Sequence, residues 1–238
     1  MRTFRLAGFD VPRIGLGTNR LTTAREHVTF VREAVAAGVR HIDTAHLYTG
    51  GESERAIGEA LDGGADEVLV ATKGGYRPGE GRPEVLTQQI EQSLRSLRVE
   101  AIALYYLHRV DPQTPMEESL GAIKAFVDRG AIRHVGLSDV SVAQIERARE
   151  IVPVAAVQNR YSRAARESDD VVDFCEREQI PFVPYFPLRG DDGTPNAAKL
   201  AWLLHRSPVI LPIPGTLSIE HLRENLAVLE SDESGTQQ

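Results

Sequence analysis

The sequence predicts an α/β protein with the (β/α)8 architecture of a TIM barrel, preceded by an N-terminal β-hairpin. Short β-branched runs alternate eight times with longer amphipathic segments along the 238 residues. Each run is followed by enough chain for a crossover helix, so the strands are expected to be parallel. With 42% hydrophobic residues the chain can bury one sizeable core. We therefore expect residues 1–238 to form a single barrel domain.

The elements follow in a regular order. The hairpin comes first. Polar and apolar residues alternate in TFRLA, Gly8 marks a turn, and FDVPRIGLG supplies the returning strand. The strand and helix segments are then IGLG with REHVTFVREAVAAG, HIDTA with SERAIGEALDG, EVLVATK with PEVLTQQIEQSLRSL, IALYYLH with PMEESLGAIKAFVDRG, IRHVGLS with SVAQIERAREI, VAAVQ with SDDVVDFCEREQ, FVPYF with AAKLAWLLHR, and VILPIPG with SIEHLRENLAVLE.

Residues at the helix ends agree with this division. Pro83 and Pro115 stand near first-turn positions, and acidic residues follow both of them. Gly38 and Gly130 come just past helices, where the residue that ends a helix often adopts a left-handed backbone conformation. The competing architecture is an open doubly wound sheet, which usually places G-x-G-x-x-G after its first strand. IGLGTNRL supplies only two of those glycines, so the barrel is favoured.

Composition narrows the class of protein. The formal net charge is -7, which argues against nucleic acid or an anionic membrane as the main partner. The single cysteine, Cys175, excludes an internal disulfide and fits a reducing compartment. The sequence contains neither the roughly 18-residue apolar run of a membrane span nor a secretory signal. We expect a soluble cytoplasmic protein; its oligomeric state cannot be read from the sequence.

Four reactive side chains follow consecutive strands. Asp43 lies within HIDTA, and Tyr48 lies in the loop behind it. Lys73 ends VLVATK, and His108 ends IALYYLH. Active sites of (β/α)8 barrels lie at the carboxyl ends of the strands, so these four are expected to converge.

Their chemistry suits proton delivery to a carbonyl. A tyrosine, with pKa near 10, is a weak acid unless a cation stabilises its phenolate. Lys73 can supply that charge, and Asp43 can hold Lys73 in place. His108 can hydrogen-bond the carbonyl oxygen, while the hydride must come from a cofactor. Taken singly, each of the four residues could have an ordinary structural role. Their occurrence together on consecutive repeats favours a shared functional role.

The motifs HIDTAHLYTGGESERAIGEAL, VLVATKGG, LYYLHRVD, GAIRHVGLSD and VILPIPGTLSIEHLREN resemble the aldo-keto reductase family over roughly residues 5–230. The resemblance implies that Asp43, Tyr48, Lys73 and His108 are the catalytic tetrad and that NADPH is the cofactor. It also implies a set of cofactor-binding residues, which includes Asp43. The others are Gly17, Thr18, Asn19, Ser138, Asp139, Gln158, Tyr185, Phe186, Pro187, Leu188, Gly190, Ile213, Pro214, Gly215, Thr216, His221, Glu224 and Asn225.

The chain departs from the family pattern in three ways. Asp139 stands where the family has an asparagine, and an ionised aspartate accepts hydrogen bonds but does not donate them. The family's lysine and arginine for the 2′-phosphate are replaced by Gly215 and His221, so NADH or dual use is the alternative to NADPH. The loops behind Lys73 and between Leu188 and Trp202 are short, which predicts a more open pocket.

The substrate pocket is expected to contain His46, Tyr76 and Arg109 beside Tyr48 and His108. Arg109 can either attract an acidic group of the substrate or pair with Asp111. A zinc site would need three or four ligands, and the histidines around Asp43 do not supply them, so no metal is expected.

These observations predict an NAD(P)H-dependent oxidoreductase that reduces an aldehyde or ketone with Tyr48 as proton donor. The first alternative is a weak or inactive nicotinamide-binding barrel that serves as a partner-binding module. The second, a phosphate- or metal-dependent lyase or hydrolase, lacks a carboxylate cluster at the rim.

Overall fold

Two antiparallel strands begin the chain, as predicted. Strand β1 (Thr3–Leu6) pairs with β2 (Phe9–Pro12) across a turn in which Ala7 and Gly8 both have positive φ. The computed structural model describes residues 3–62, 66–190 and 193–234. Short parts of the predicted domain 1–238 thus lie outside the described residues.

A six-stranded parallel sheet follows, with its strands in sequence order. Its members are β3 (Leu16–Gly17), β4 (His41–Asp43), β5 (Leu69–Gly74), β6 (Ile102–Leu107), β7 (Ile132–Ser138) and β8 (Val154–Gln158).

The last two predicted strands differ from expectation. FVPYF and VILPIPG form isolated parallel bridges and not regular strands. Their hydrogen bonds nevertheless lead from β8 back to β3: Val183 N donates to Val157 O (2.8 Å), Leu211 N to Phe182 O (2.9 Å), and Gly15 N to Pro212 O (3.0 Å). Prolines explain the irregularity, because a proline has no N–H to donate to a ladder; FVPYF contains Pro184, and VILPIPG contains Pro212 and Pro214.

The helices begin and end close to the predicted positions. They are α1 (Arg25–Ala36), α2 (Glu52–Leu61), α3 (Pro83–Leu97), α4 (Met116–Asp128), α5 (Val142–Arg149), α6 (Asp169–Arg177), α7 (Asn196–Arg206) and α8 (Ile219–Ser234). Pro83 is the first residue of α3, whereas Pro115 caps α4 from outside. Gly38 and Gly130 have the predicted positive φ, of 105° and 77°. Among the described residues, no helix is both long and apolar enough to cross a membrane.

The sheet has two faces, because successive side chains of a strand point to opposite sides. One face packs against the helices. On the other, Leu69 and Ala71 of β5 meet Leu104 and Tyr106 of β6 in a second buried cluster, which also includes Leu6 of the hairpin. Continuing the same alternation by two residues brings each strand to a polar side chain near its carboxyl end: Asp43 after His41, Lys73 after Ala71, His108 after Tyr106 and Gln158 after Ala156.

Gly136 of β7 lies opposite Tyr106 in the register of β6 and β7. A Cβ atom at this position would lie 2.4 Å from two atoms of the Tyr106 ring. That ring is fully buried, and its centroid lies 5.9 Å from Lys73 Nζ. Glycine at residue 136 therefore allows Tyr106 to pack beneath Lys73.

Gly136→Ala should lower the free energy of unfolding by about 1–3 kcal/mol, the usual cost of forcing extra atoms into a packed core. Urea denaturation followed by far-ultraviolet circular dichroism measures the change. Gly121→Ala is the matched control, since Gly121 lies exposed in α4 with nothing within 4 Å of an added Cβ. It should stabilise the protein by about 0.4–1 kcal/mol. Equal effects of the two substitutions would contradict the packing account.

Candidate active site

A buried ion pair lies at the carboxyl ends of β4 and β5. Lys73 Nζ donates to Asp43 Oδ1 over 2.5 Å and to the backbone oxygen of Thr44 over 2.7 Å. The side chains of Lys73 and Asp43 are 0% and 2% exposed. Gln158, at the end of β8, donates from Nε2 to the second oxygen of Asp43 over 2.8 Å. Both carboxylate oxygens therefore accept hydrogen bonds, which a buried carboxylate needs to offset its loss of hydration.

Lys73 stays protonated in this setting. Burial opposes its charge, but the attraction of Asp43 and Tyr48 outweighs burial and raises the pKa of Lys73. The site thus holds a fixed ammonium group directly behind the cavity described below.

Tyr48 begins a 3-10 turn, Tyr48–Gly51, that follows β4. Its ring centroid lies 5.1 Å from Lys73 Nζ. Burial raises the pKa of Tyr48, while the charge of Lys73 acts in the opposite direction. The phenol is therefore protonated at neutral pH, and the nearby ammonium lowers the cost of losing that proton.

His108 follows β6 and faces both Tyr48 and Tyr76. Its ring centroid lies 6.2 Å from that of Tyr48, edge-on, and 4.8 Å from that of Tyr76. Burial, with help from Lys73 and Arg109, lowers the pKa of His108 to about 2. The imidazole is neutral at physiological pH and carries one N–H that can donate to a ligand oxygen.

Asp43, Tyr48, Tyr76, His108 and Gln158 border a cavity of about 490 Å³. The predicted residues on its wall are Gly17, Thr18, Asn19, Asp43, Tyr48, Tyr76, His108, Arg109, Ser138, Asp139, Gln158, Tyr185, Phe186, Pro187, Leu188, Ile213, Pro214 and Gly215. Three further wall residues, Arg20, Leu47 and Arg189, were not predicted. Each is a sequence neighbour of a predicted residue, which was the only signal available.

Seven predicted residues do not line this cavity; one of them, Lys73, lies fully buried behind its wall. His46, expected in the substrate pocket, is half-buried, and burial lowers the pKa of its imidazole. The other five were expected to bind cofactor: Gly190, Thr216, His221, Glu224 and Asn225. The last four lie in or just before the first two turns of α8, where the Thr216 hydroxyl accepts from Ser218 N over 3.0 Å and Ser218 Oγ accepts from His221 N over 3.2 Å.

Gly17 and Gly215 form a narrow part of the wall. They face each other in a parallel bridge, and a Cβ atom at Gly17 would lie 2.8 Å from the backbone oxygen of Ile213. Only glycine at residue 17 lets β3 approach the 209–215 segment this closely.

Arg109 pairs with Asp139 and not with Asp111. Arg109 Nε donates to Asp139 Oδ2 over 3.1 Å, and the Tyr185 hydroxyl donates to the other oxygen over 2.8 Å. Asp111 instead accepts hydrogen bonds from the backbone N–H groups of Gly79, Gly81 and Gln113. The bonds from Gly79 and Gly81 fix the loop after β5. Sequence proximity suggested Asp111, but its carboxylate is already engaged by backbone donors.

No group of three or more His, Cys, Asp or Glu side chains within 3–62, 66–190 and 193–234 is arranged to hold a metal ion. His41 is fully buried next to Gly15, and burial lowers the pKa of its imidazole to about 4. Cys175 is also buried in α6, where burial raises the pKa of its thiol to about 12. A protonated, inaccessible thiol of this kind is not a nucleophile.

Comparison with known proteins gives consistent results. Residues 13–193 match the model of the Aldo/keto reductase family. The chain is 34% identical over 256 aligned positions to an uncharacterized oxidoreductase of Schizosaccharomyces pombe, covering 94% of this chain and 83% of that protein. It is 35% identical over 262 positions to pyridoxine 4-dehydrogenase of Escherichia coli K12, covering 94% and 92%. Both alignments are longer than the 238-residue chain, so these relatives contain segments that it lacks.

The fold agrees with these sequence matches. The structure of an aldo/keto reductase from Klebsiella pneumoniae, in complex with NADP and acetate, superposes with a TM-score of 0.86 at 28% identity. The superposition covers 96% of this chain and 90% of that one. The family model spans most of the sequence, and the relatives match it almost from end to end. The chain therefore belongs to the aldo/keto reductase family.

Proposed function

We propose that this protein is an NAD(P)H-dependent oxidoreductase that reduces an aldehyde or ketone to an alcohol, with Tyr48 as the proton donor. One observation carries the proposal: a buried ammonium, fixed by Asp43, lies behind a protonated tyrosine on the wall of a ligand-sized cavity. A barrel that only bound a partner would not need a buried cation at this position.

Each side chain has a separate task in this reaction. Tyr48 gives its proton to the oxygen of the carbonyl as negative charge develops there, and Lys73 stabilises the resulting phenolate. His108, neutral and close to Tyr48, donates a hydrogen bond that orients the same oxygen. Asp43 acts through Lys73, since its two oxygens are taken by Lys73 and Gln158.

The cavity suits a nicotinamide dinucleotide. Tyr185 offers a ring for stacking, Asp139 and Gln158 offer polar groups for the carboxamide, and the glycines at 17 and 215 allow backbone to approach a ribose. When bound, NADPH supplies the hydride that no side chain can donate. The NADP complex of the Klebsiella relative supports NADP(H) as the first choice.

We also propose that the 181–185 and 209–215 segments complete an eight-stranded (β/α)8 barrel, formed by a single domain over residues 1–238. Their hydrogen bonds to β8, to each other and to β3 support a closed ring. Its expected partner is a small carbonyl compound. Nothing observed favours the alternative role as a partner-binding module.

Tyr48→Phe should reduce the rate of NADPH oxidation by about 100-fold or more, the typical contribution of general acid catalysis. The assay is the loss of reduced-nicotinamide absorbance with a panel of aldehydes and ketones. Tyr105→Phe is the matched control: it removes a buried tyrosine hydroxyl that does not border the cavity. Equal losses in the two variants would contradict the assignment, as would unchanged activity in Tyr48→Phe. Failure of the unmodified protein to oxidise NADPH with any compound would overturn the proposed function.

His221→Arg should tighten the binding of NADPH by up to roughly tenfold without tightening that of NADH, because an arginine binds phosphate through two donors. Dissociation constants from nicotinamide fluorescence measure both affinities. His205→Arg adds the same charge to the exposed side of α7 and serves as the control. A similar gain with both cofactors, or with His205→Arg, would show that the start of α8 does not bind the 2′-phosphate.

A further inference from the structure

We propose that Arg109 is a specificity-determining residue and that the preferred substrates are carbonyl compounds bearing a carboxylate or phosphate group. The inference rests on the proposed reductase function and adds the chemical class of its substrate. It follows from the orientation of the Arg109 guanidinium, its unused donors and the charges around the cavity.

The Arg109 guanidinium is held in position from two sides. Its central carbon lies 4.3 Å from the Tyr76 ring centroid, and its Nε bonds to Asp139. Asp139 is fixed in turn by the Tyr185 hydroxyl. A guanidinium packed on an aromatic ring and anchored at one nitrogen loses little conformational freedom when it binds a ligand.

The donors of Arg109 are only partly used. Within the described part of the chain, its two terminal nitrogens have no hydrogen-bond partner. The side chain is 46% exposed and lies on the cavity wall. Two parallel N–H groups of this kind match the oxygens of a carboxylate or phosphate. If Asp139 accepted hydrogen bonds from Nε and from a terminal nitrogen, Arg109 would serve only to hold Asp139 in place. Asp139 accepts a hydrogen bond only from Nε, so the terminal nitrogens can donate to a ligand.

The position of Arg109 assigns it to the substrate. It directly follows His108, and both side chains contact the Tyr76 ring. The other two arginines of the wall lie elsewhere: Arg20 donates to the backbone oxygen of Gly215, and Arg189 packs on Phe186 at 4.5 Å from its ring centroid. An anionic group that reaches Arg109 therefore belongs to the molecule whose carbonyl lies at Tyr48 and His108.

The charges of the cavity also favour an anion. The wall carries three arginines and two aspartates, and Lys73 lies directly behind it. The surroundings are thus cationic although the whole chain has a net charge of -7. Asp139 offsets part of the charge of Arg109, but the three arginines and Lys73 together outnumber the two aspartates.

The test compares matched substrates that differ in charge. Succinate semialdehyde is paired with its methyl ester, and glyceraldehyde 3-phosphate with glyceraldehyde, each with NADPH at low ionic strength. The readout is the ratio of kcat/KM for the anionic compound to that for its neutral partner. Arg109→Gln should lower this ratio roughly 10- to 100-fold in at least one pair, the range expected for hydrogen bonds to a charged group. The pair that responds identifies the anion.

Two further variants sharpen the comparison. Arg109→Lys should give an intermediate ratio, since lysine keeps the charge but not the paired donors. Arg189→Gln removes another arginine of the wall and should leave the ratio unchanged. A purely structural role of Arg109 would slow both members of a pair equally. An unaltered ratio in Arg109→Gln, or a loss found only in Arg189→Gln, would overturn the inference.

A binding measurement separates this inference from the proposed function. Butyrate and butyramide are titrated calorimetrically into the protein saturated with NADP+. Butyrate should bind at least about tenfold more tightly, and Arg109→Gln should abolish the difference. If no carbonyl compound is reduced but this difference depends on Arg109, the reductase function fails and the anion site stands. If carbonyl compounds are reduced and neither test depends on Arg109, only the anion site fails.

Discussion

The buried contact between Lys73 and Asp43 is the interaction on which the rest of the site depends. Removing two charges from water is costly, and a buried ion pair is tolerated only when the remaining hydrogen-bonding positions of both groups are filled. Thr44 and Gln158 fill them, so the ends of β4, β5 and β8 are tied together at one point. Below this point, Tyr106 supports Lys73 because Gly136 leaves room for its ring. The packing of the sheet interior and the charge at the active site are therefore parts of one arrangement.

That arrangement gives Tyr48 and His108 their properties. Burial alone would make Tyr48 a poorer acid, and Lys73 acts against this effect. Burial, together with the same ammonium group and Arg109, keeps His108 neutral. One fixed positive charge thus favours proton loss from the tyrosine while leaving the histidine as a hydrogen-bond donor. This division of tasks between two neighbouring groups follows from their surroundings, since an isolated histidine, with a pKa near 6.5, would be partly protonated at neutral pH.

Much of the fold could be predicted from the sequence because its signals are local. The ends of α3, the turn at Gly8 and the left-handed residues Gly38 and Gly130 follow from side-chain chemistry at those positions. The convergence of Asp43, Lys73 and His108 follows from strand periodicity combined with parallel order. The pairing of Arg109 with Asp139 could not be predicted, because it joins residues from different strands and depends on Asp111 being occupied by backbone donors. The segments near Phe182 and Leu211 form isolated parallel bridges where regular strands were expected, because prolines interrupt the hydrogen-bond ladder there.

The central claim is that Tyr48 and Lys73 deliver the proton as one unit. A double-mutant cycle on the single-turnover rate of NADPH oxidation tests it most directly, using Tyr48→Phe, Lys73→Met and the combination of both. Groups that act together give strongly non-additive losses, so the double variant should be about as slow as the slower single variant. Losses that multiply in the double variant would show that the two residues act independently, and would contradict this account.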